Sequence, residues 1–223
     1  MTNPDTPRPP ATLVDRASKL ATSTLANALD ASGLHNNVIV HIKAVAPGFH
    51  FAGPAVTVKE TVGAHGDFLS DDFRVGAMID AASQGDIIAV DCAGAEVSTW
   101  GGMASLAAKL KGVAGLLVDG GVRDLEEMIE FDFPVFARHM LPTTGRLRLK
   151  VEEINVPVVI DGVTVSPGDI IVADGTGAVC LPTLRAEEVL DVAEKLDRDD
   201  RAAVEDLRAG LTFTEAMAKY KGI

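Results

Sequence analysis

The sequence is poor in cysteine, in aromatic residues and in long apolar runs. Its two cysteines, Cys92 and Cys180, form neither a CxxC pair nor a zinc-ligand spacing, so we expect buried, reduced thiols. Aromatic residues make up 4% of the 223-residue chain, which gives little support to a base-stacking RNA site. No apolar run approaches the roughly 20 residues that span a bilayer, and no signal-peptide pattern opens the chain. We therefore expect a soluble, cytoplasmic protein.

Positive charge is also scarce, because the formal net charge is −12. Such a balance disfavours binding to nucleic acid or to an anionic membrane, and we expect neither partner. The densest basic cluster, Arg146-Leu147-Arg148-Leu149-Lys150, alternates as a strand would and predicts a solvated face or a subunit contact. Four of the five histidines, all but His65, show no compact metal-ligand spacing and are expected to be surface or locally hydrogen-bonded groups: His35, His41, His50 and His139.

The chain is long enough, and at 47% apolar residues hydrophobic enough, to bury a large core. No linker-like break in composition follows the N-terminus, so one domain is expected over residues 12–223. Residues 1–11 contain four prolines and little apolar surface. They are predicted to form a flexible tail.

Apolar periodicity predicts an α/β fold. Two helices are expected first, over residues 11–20 and 23–31, the second with Ser23 as its N-cap. A βαβ rhythm follows, with strands near 54–59, 87–91, 115–118 and 134–137 and helices near 75–82 and 101–111. The C-terminal half is rich in β-hairpins, with Asp161-Gly162 as a two-residue turn, and ends in a long helix over about 185–207.

The most informative segment is Val118-Asp119-Gly120-Gly121-Val122-Arg123-Asp124, which we interpret as an active-site loop. A buried strand ends here, and the two glycines permit either a tight turn or the close approach of a ligand. Asp124 can begin the following helix, and ligands of open α/β sheets bind at such strand ends. An alternative is that Asp124 only caps that helix while Arg123 forms a surface ion pair.

A second glycine-rich segment, Trp100-Gly101-Gly102-Met103-Ala104, opens a predicted helix one βα unit earlier. The first backbone N–H groups of a helix have no carbonyl partner within it, so they can hold an anion. Trp100 is expected to pack beside this turn.

Six motifs in this order make the sequence resemble the RraA-like family, in particular its class II 4-hydroxy-4-methyl-2-oxoglutarate/4-carboxy-4-hydroxy-2-oxoadipate aldolases. Besides the two segments just described, the motifs are Gly53-Pro54-Ala55-Val56-Thr57-Val58, Gly85-Asp86-Ile87-Ile88-Ala89-Val90-Asp91, Pro134-Val135-Phe136-Ala137 and Gly162-Val163-Thr164-Val165-Ser166-Pro167-Gly168-Asp169. The resemblance implies a swivelling β/β/α sandwich. It also implies a homotrimer or a dimer of trimers with active sites between subunits.

For the site, the resemblance implies that Asp124 ligates a divalent metal, Mg²⁺ or Mn²⁺, and that Arg123 contacts the keto oxygen of a 2-oxo acid substrate. Backbone amides of Gly101, Gly102, Met103 and Ala104 would hold its carboxylate. The implied reactions are retro-aldol cleavage of a 4-hydroxy-2-oxo acid to pyruvate and decarboxylation of oxaloacetate, through one enolate stabilised by the metal and Arg123.

The sequence departs from this pattern at two positions. Many relatives carry Asp or Glu where Gly102 stands and Asp where Asn27 stands, so two carboxylates are missing here. Asp91, Glu96 or a residue of the neighbouring subunit could replace them. The loop His65–Asp72 could line the pocket, but we expect it to be solvated.

The other branch of the family suggests an alternative function. A non-enzymatic regulator would use its surface to bind a ribonuclease or a helicase, and the acidic charge is compatible with that. Retention of Gly101, Arg123 and Asp124 favours the enzyme.

Overall fold

The computed structural model describes residues 8–220, which form a mixed α/β fold around one ten-stranded sheet and a small two-stranded sheet. The helices are α1 (Ala11–Ala17), α2 (Thr22–Ala31), α3 (Val75–Ala81), α4 (Gly102–Lys111), α5 (Leu125–Glu130), α6 (Ala186–Arg208) and α7 (Phe213–Lys219). The strands are β1 (Val38–Ile39), β2 (Lys43–Ala44), β3 (Phe51–Val62), β4 (Ile87–Asp91), β5 (Ser98–Trp100), β6 (Gly115–Val122), β7 (Val135–Met140), β8 (Leu149–Ile154), β9 (Val158–Ile160), β10 (Val163–Val165), β11 (Ile170–Asp174) and β12 (Gly177–Leu181).

The predicted βαβ rhythm forms the centre of the large sheet. Strands β3, β4, β6 and β7 are neighbours and run parallel, and helices α3, α4 and α5 pack on one face of them. Successive residues of β4 alternate between two cores: Ile88 and Val90 face these helices, whereas Ile87 and Ala89 face the opposite side. A strand buried on both faces is apolar at every position, as this segment is in the sequence.

The second β layer is antiparallel and covers the other face of the parallel strands. Strand β11 pairs with both β3 and β12. Its residues Ile171 and Ala173 face the parallel strands, whereas Ile170 and Val172 pack against α1, α2 and α6. Two β layers therefore lie between two groups of helices. No helix within residues 8–220 combines the length and apolar character needed to cross a membrane.

The Asp161-Gly162 turn is confirmed. Strands β9 and β10 pair antiparallel across it, and both turn residues have positive φ, 51° for Asp161 and 81° for Gly162. Two left-handed residues in succession give the tight turn that matches strand twist.

The N-terminal predictions need correction. Residues 1–7 of the predicted tail (residues 1–11) lie outside the described residues. From Arg8 onward the chain contacts the rest of the domain, because the Arg8 guanidinium pairs with both carboxylate oxygens of Asp86 at 2.8 and 2.6 Å. Helix α1 then begins at Ala11, inside the predicted tail. Ser23 does not cap α2, since the helix begins at Thr22. The Thr22 N–H donates instead to the carboxylate of Asp174, the last residue of β11.

Two further local predictions were wrong. The glycines of the Val118–Asp124 segment do not form a turn, because β6 continues through them to Val122. They permit close approach instead: a Cβ on Gly120 would lie 2.7 Å from Cys92 Cβ, and one on Gly121 would lie 2.8 Å from the Val97 carbonyl oxygen. The basic run 146–150 is not one strand, since Leu147 is left-handed at φ 66° and β8 begins only at Leu149.

Candidate active site

A cavity of about 320 Å³ lies where the N-terminus of α4 meets the end of β6. Its walls combine charged groups, a glycine pair and apolar side chains, and the residues that line it are Phe73, Val75, Ser98, Thr99, Trp100, Gly101, Gly102, Met103, Ala104, Arg123, Asp124, Glu127 and Thr144. All the site residues expected from the sequence, Gly101–Ala104 with Arg123 and Asp124, are therefore brought together.

Asp124 begins α5, as predicted, but its side chain caps a different helix. The carboxylate Oδ2 accepts the N–H of Gly102, the first residue of α4, at 3.2 Å, and α5 receives no side-chain cap from it. The Arg123 Nε lies 3.4 Å from the same oxygen. The other oxygen, Oδ1, has no hydrogen-bond partner within residues 8–220.

The backbone of Asp124 explains this direction. Its φ and ψ of 60° and 48° place it in the left-handed region, which asparagine and aspartate tolerate better than other residues with a Cβ. Strained conformations of this kind cluster at functional sites because the surrounding fold enforces them. Here the turn directs the carboxylate of Asp124 across to α4.

Gly101 is required for space. Its φ of −151° is ordinary extended backbone, but a Cβ there would lie 2.5 Å from the Asp124 Oδ2 and 3.3 Å from the Arg123 Nε. The absence of a side chain therefore lets both charged groups reach the start of α4.

The N-terminus of α4 keeps two donors free. Asp124 takes the Gly102 N–H, so only part of the predicted Gly101–Ala104 amide site remains open. The N–H groups of Met103 and Ala104 make no hydrogen bond within the described part of the chain. Together with the helix dipole they form an anion site beside a guanidinium.

Glu127 is a pocket residue that sequence reasoning missed. It lies one turn after Asp124 on α5 and is exposed. Its carboxylate Oε2 lies 1.7 Å from where a Cβ on Gly102 would stand. The only signal in the sequence was the unusual glycine at position 102.

One side of the cavity is formed by a buried tryptophan. Trp100 is buried, donates its Nε1–H to Ser105 Oγ at 3.0 Å, and stacks on Phe133 with ring centroids 6.3 Å apart. Trp100 thus packs beside the helix N-terminus, as predicted. The loop 65–72 does not line the cavity, although Phe73 and Val75 directly after it do.

A buried carboxyl group lies behind the cavity wall. Glu60 Oε1 accepts the hydroxyl of Thr99 at 2.8 Å, and Oε2 accepts the Cys92 thiol at 2.8 Å. Burial raises the pKa of Glu60 to about 7, against the lowering effect of these two hydrogen bonds. Burial also raises the pKa values of the Cys92 and Cys180 thiols, so both cysteines, which are buried and free, remain thiols.

The other candidates lie elsewhere. Asp91 accepts the N–H groups of Ala93 and Val159 and acts as a structural strand-end group. Glu96 is exposed and does not line the cavity, and Asn27 lies on α2 in the other half of the fold. Four of the five histidines make hydrogen bonds, His35 with Asp30, His41 with Asp161, His50 with the Gly48 carbonyl and His139 with the Gly94 carbonyl, and no histidine lines the cavity.

The donors present fit a hard divalent cation that keeps most of its waters. Within residues 8–220 no three His, Cys, Asp or Glu side chains are grouped to hold a metal. The free Oδ1 of Asp124 can supply one oxygen ligand, and Mg²⁺ or Mn²⁺ accepts such sparse protein ligation when water and a chelating substrate complete the shell.

Comparisons with known proteins identify a family and several relatives. The model of the RraA-like family, described as Aldolase/RraA, matches residues 22–180. A Halalkalibacterium halodurans protein provisionally named 4-hydroxy-4-methyl-2-oxoglutarate aldolase is 34% identical over 82% of this chain and 82% of its own. An uncharacterized Methanocaldococcus jannaschii protein is 40% identical over 55% of this chain, and the match spans 58% of that protein.

Solved structures share the fold. An uncharacterized protein from Pseudomonas syringae superposes with a TM-score of 0.84 at 28% identity, covering 94% of this chain and 98% of its own. RraAS2 of Streptomyces coelicolor, described as an unusual member of the RNase ES inhibitor RraA protein family, superposes with a TM-score of 0.79 at 27% identity, covering 90% of this chain and all of its own.

Proposed function

The chain belongs to the RraA-like family, and on that premise we propose that it is a divalent-metal-dependent pyruvate aldolase. The substrate class is a 4-hydroxy-2-oxo acid of the 4-hydroxy-4-methyl-2-oxoglutarate type, and oxaloacetate decarboxylation would follow at the same site. One observation carries the proposal: Arg123, Asp124 and the free N–H groups of α4 meet in one cavity.

The N-terminus of α4 binds the substrate carboxylate in this proposal. The N–H groups of Met103 and Ala104 are free, and a helix N-terminus carries positive potential. The carboxylate and the 2-oxo group of a 2-oxo acid are on directly bonded carbons. Anchoring the first therefore brings the second towards Arg123 and Asp124.

Arg123 stabilises the charge that develops on the 2-oxo oxygen. In the retro-aldol step the 4-hydroxyl passes its proton to a water molecule and the bond between carbons 3 and 4 breaks. Carbon 4 leaves as the carbonyl carbon of the second product, and the electron pair of the broken bond forms an enolate on the pyruvyl fragment. Protonation of the enolate at carbon 3 then gives pyruvate. A guanidinium near the enolate oxygen lowers the barrier because its attraction is strongest when the charge has formed. A divalent cation bound at Asp124 would supply Lewis-acid polarisation of the same oxygen.

The test is pyruvate formation by the purified protein. We would supply 4-hydroxy-4-methyl-2-oxoglutarate or oxaloacetate with Mg²⁺, with Mn²⁺ or with a chelator, couple pyruvate to lactate dehydrogenase, and subtract decarboxylation by metal alone. The proposal expects metal-dependent release from both substrates. No release from either would contradict it.

The alternative remains a regulator that binds a ribonuclease or a helicase. Its support is the likeness to RraAS2, which is described as an unusual member of the RNase ES inhibitor RraA protein family. A protein that inhibits a ribonuclease equally well in the presence of chelator, and releases no pyruvate, would favour it.

We also propose that the chain assembles as a homotrimer or a dimer of trimers. The support is an apolar stripe on α4 beside the cavity, where Met103, Leu106 and Leu110 are 86, 39 and 79% exposed. Light scattering after gel filtration tests it: Leu110→Ser should shift the mass towards the monomer. A monomeric wild type would overturn the proposal.

A further inference from the structure

We propose that Glu127 is a second carboxylate of the cation site, acting with Asp124 to hold the divalent cation through its water shell. The inference rests on the proposed metal-dependent function and deepens it. It assigns a positioning role to a side chain that neither the motifs nor the relatives' names indicate.

The first observation is the path of the Glu127 side chain. Glu127 is the third residue of α5 after its N-cap Asp124, where a glutamate commonly folds back onto the N-cap N–H of its own helix. No such bond forms here. The side chain crosses instead to α4, with its Cβ, Cδ and Oε2 at 2.7, 2.5 and 1.7 Å from the point where a Gly102 Cβ would stand.

The second observation is the pair of glycines. Gly101 leaves space for Asp124 and Gly102 leaves space for Glu127. Both carboxylates also line the same cavity at the N-terminus of α4. A side chain at position 101 would collide with Asp124, and a side chain at position 102 would collide with Glu127. Each carboxylate therefore needs one of the two glycines.

The third observation is that Glu127 has no other partner. Its carboxylate makes no hydrogen bond or ion pair among the described residues, although Arg123 is in the same cavity. Two neighbouring carboxylates repel each other. A divalent cation with a water shell is the ligand that offsets this repulsion, since its waters donate to carboxylate oxygens and Mg²⁺ and Mn²⁺ retain several of them.

The direct test measures cation affinity without turnover. Free Mn²⁺ would be followed by electron paramagnetic resonance during titration of the wild type and of Glu127→Gln, with Glu130→Gln as the matched control. Glu130 is an exposed glutamate of the same helix that does not line the cavity. We expect Glu127→Gln to weaken Mn²⁺ binding about tenfold, as loss of an outer carboxylate does, and Glu130→Gln to leave it unchanged.

A relocation experiment separates a cation role from a role in helix packing. Gly102→Asp alone should disturb the site, because its Cβ would collide with Glu127. Gly102→Asp combined with Glu127→Ala should restore much of the Mn²⁺ affinity lost in Glu127→Ala, since a carboxylate returns to the same helix end. Mn²⁺ affinity that remains low in the double variant, with thermal stability equal to wild type, would overturn the inference.

The two proposals fail differently. If the wild type releases pyruvate with Mn²⁺ and Glu127→Gln binds Mn²⁺ as tightly as wild type, this inference is wrong and the aldolase proposal stands. If the wild type neither binds Mn²⁺ nor releases pyruvate, both are wrong.

Discussion

Two clusters of charged side chains lie within β6 and just past its end, and they differ in how many of their polar atoms have hydrogen-bond partners. Asp119, within β6, belongs to a cluster with Arg138 and Asp161, whereas Arg123, just past the end of β6, belongs to the cavity with Asp124 and Glu127. The side chains of Arg138, Asp119 and Asp161 are 22, 8 and 6% exposed. Those of Arg123 and Asp124 are 45 and 40% exposed.

The buried cluster leaves no carboxylate oxygen of Asp119 or Asp161 without a partner. Arg138 Nε bonds Asp119 Oδ1 at 2.5 Å and Nη2 bonds Asp161 Oδ1 at 2.7 Å, while Asp119 Oδ2 accepts the Asp161 N–H at 2.7 Å. Burial by itself raises the pKa of Asp161, but hydrogen bonds from His41, Arg138 and Val40 together hold it well below its usual range. This cluster fastens the β9–β10 hairpin to the sheet.

The cavity cluster leaves donors and acceptors free. Asp124 Oδ1, the Glu127 carboxylate and two N–H groups of α4 have no partner within residues 8–220. Charged groups in this fold are therefore structural where both oxygens of each carboxylate are paired, and available for a ligand where a carboxylate oxygen is left free.

The largest effect should follow from breaking the buried cluster. Arg138→Ala leaves two buried carboxylates without their cation, so we expect the free energy of unfolding to fall by about 4 kcal/mol. Urea denaturation measures it. Arg201→Ala, which removes an exposed partner of Asp197, is the control and should cost less than about 1 kcal/mol. Equal losses in the two variants would contradict the structural role.

Breaking the cavity cluster should lower activity and leave stability nearly unchanged. Arg123→Ala should lower kcat for pyruvate release about 100-fold, because it removes a donor to the developing enolate oxygen. The half-exposed side chain contributes little to stability, so the urea midpoint should hardly move. A stability loss as large as that of Arg138→Ala, or an unchanged kcat, would remove the distinction between the clusters.

A smaller effect is expected at Glu60, which is buried and hydrogen-bonded but uncompensated by a cation. Its pKa is raised from 4.5 to about 7, so between these pH values the folded protein holds a proton that the unfolded chain releases. Stability due to this group is therefore fully present below about pH 4.5 and falls by roughly 3 kcal/mol as the pH rises to 7. In Glu60→Gln this fall should be absent, as urea denaturation at pH 5 and pH 8 would reveal. Parallel pH profiles of variant and wild type would refute the assignment.

Much of the fold could be predicted because its signals are local. The strand β4 is apolar at four successive positions and buried on both faces, and Asp161-Gly162 adopts the left-handed turn its residue types favour. The predictions for Ser23 and for Gly120-Gly121 were wrong because residues distant in sequence decide these positions. Asp174 accepts the first N–H of α2 in place of Ser23, and the glycines keep β6 in an extended conformation close to Cys92.

The site was predictable only in part for the same reason. Arg123, Asp124 and the α4 glycines belong to contiguous motifs, so their convergence could be inferred. Glu127 reaches the cavity through a contact between two helices, and the proposed replacements Asp91 and Glu96 were chosen without that information. Gly102 and Glu127 are 25 positions apart, and only the packing of α4 against α5 relates them.

The most direct test of the account is Mn²⁺-dependent pyruvate release by Asp124→Asn against Asp132→Asn. Both aspartates have left-handed backbones, at φ 60° and 48°, and asparagine tolerates that conformation, so each variant loses one charge without added strain. Asp132 is 85% exposed, pairs with Lys109 and lies outside the cavity. We predict that Asp124→Asn loses metal-dependent release while Asp132→Asn keeps it. Wild-type release by Asp124→Asn would contradict the central claim that the incompletely paired cluster is the active site.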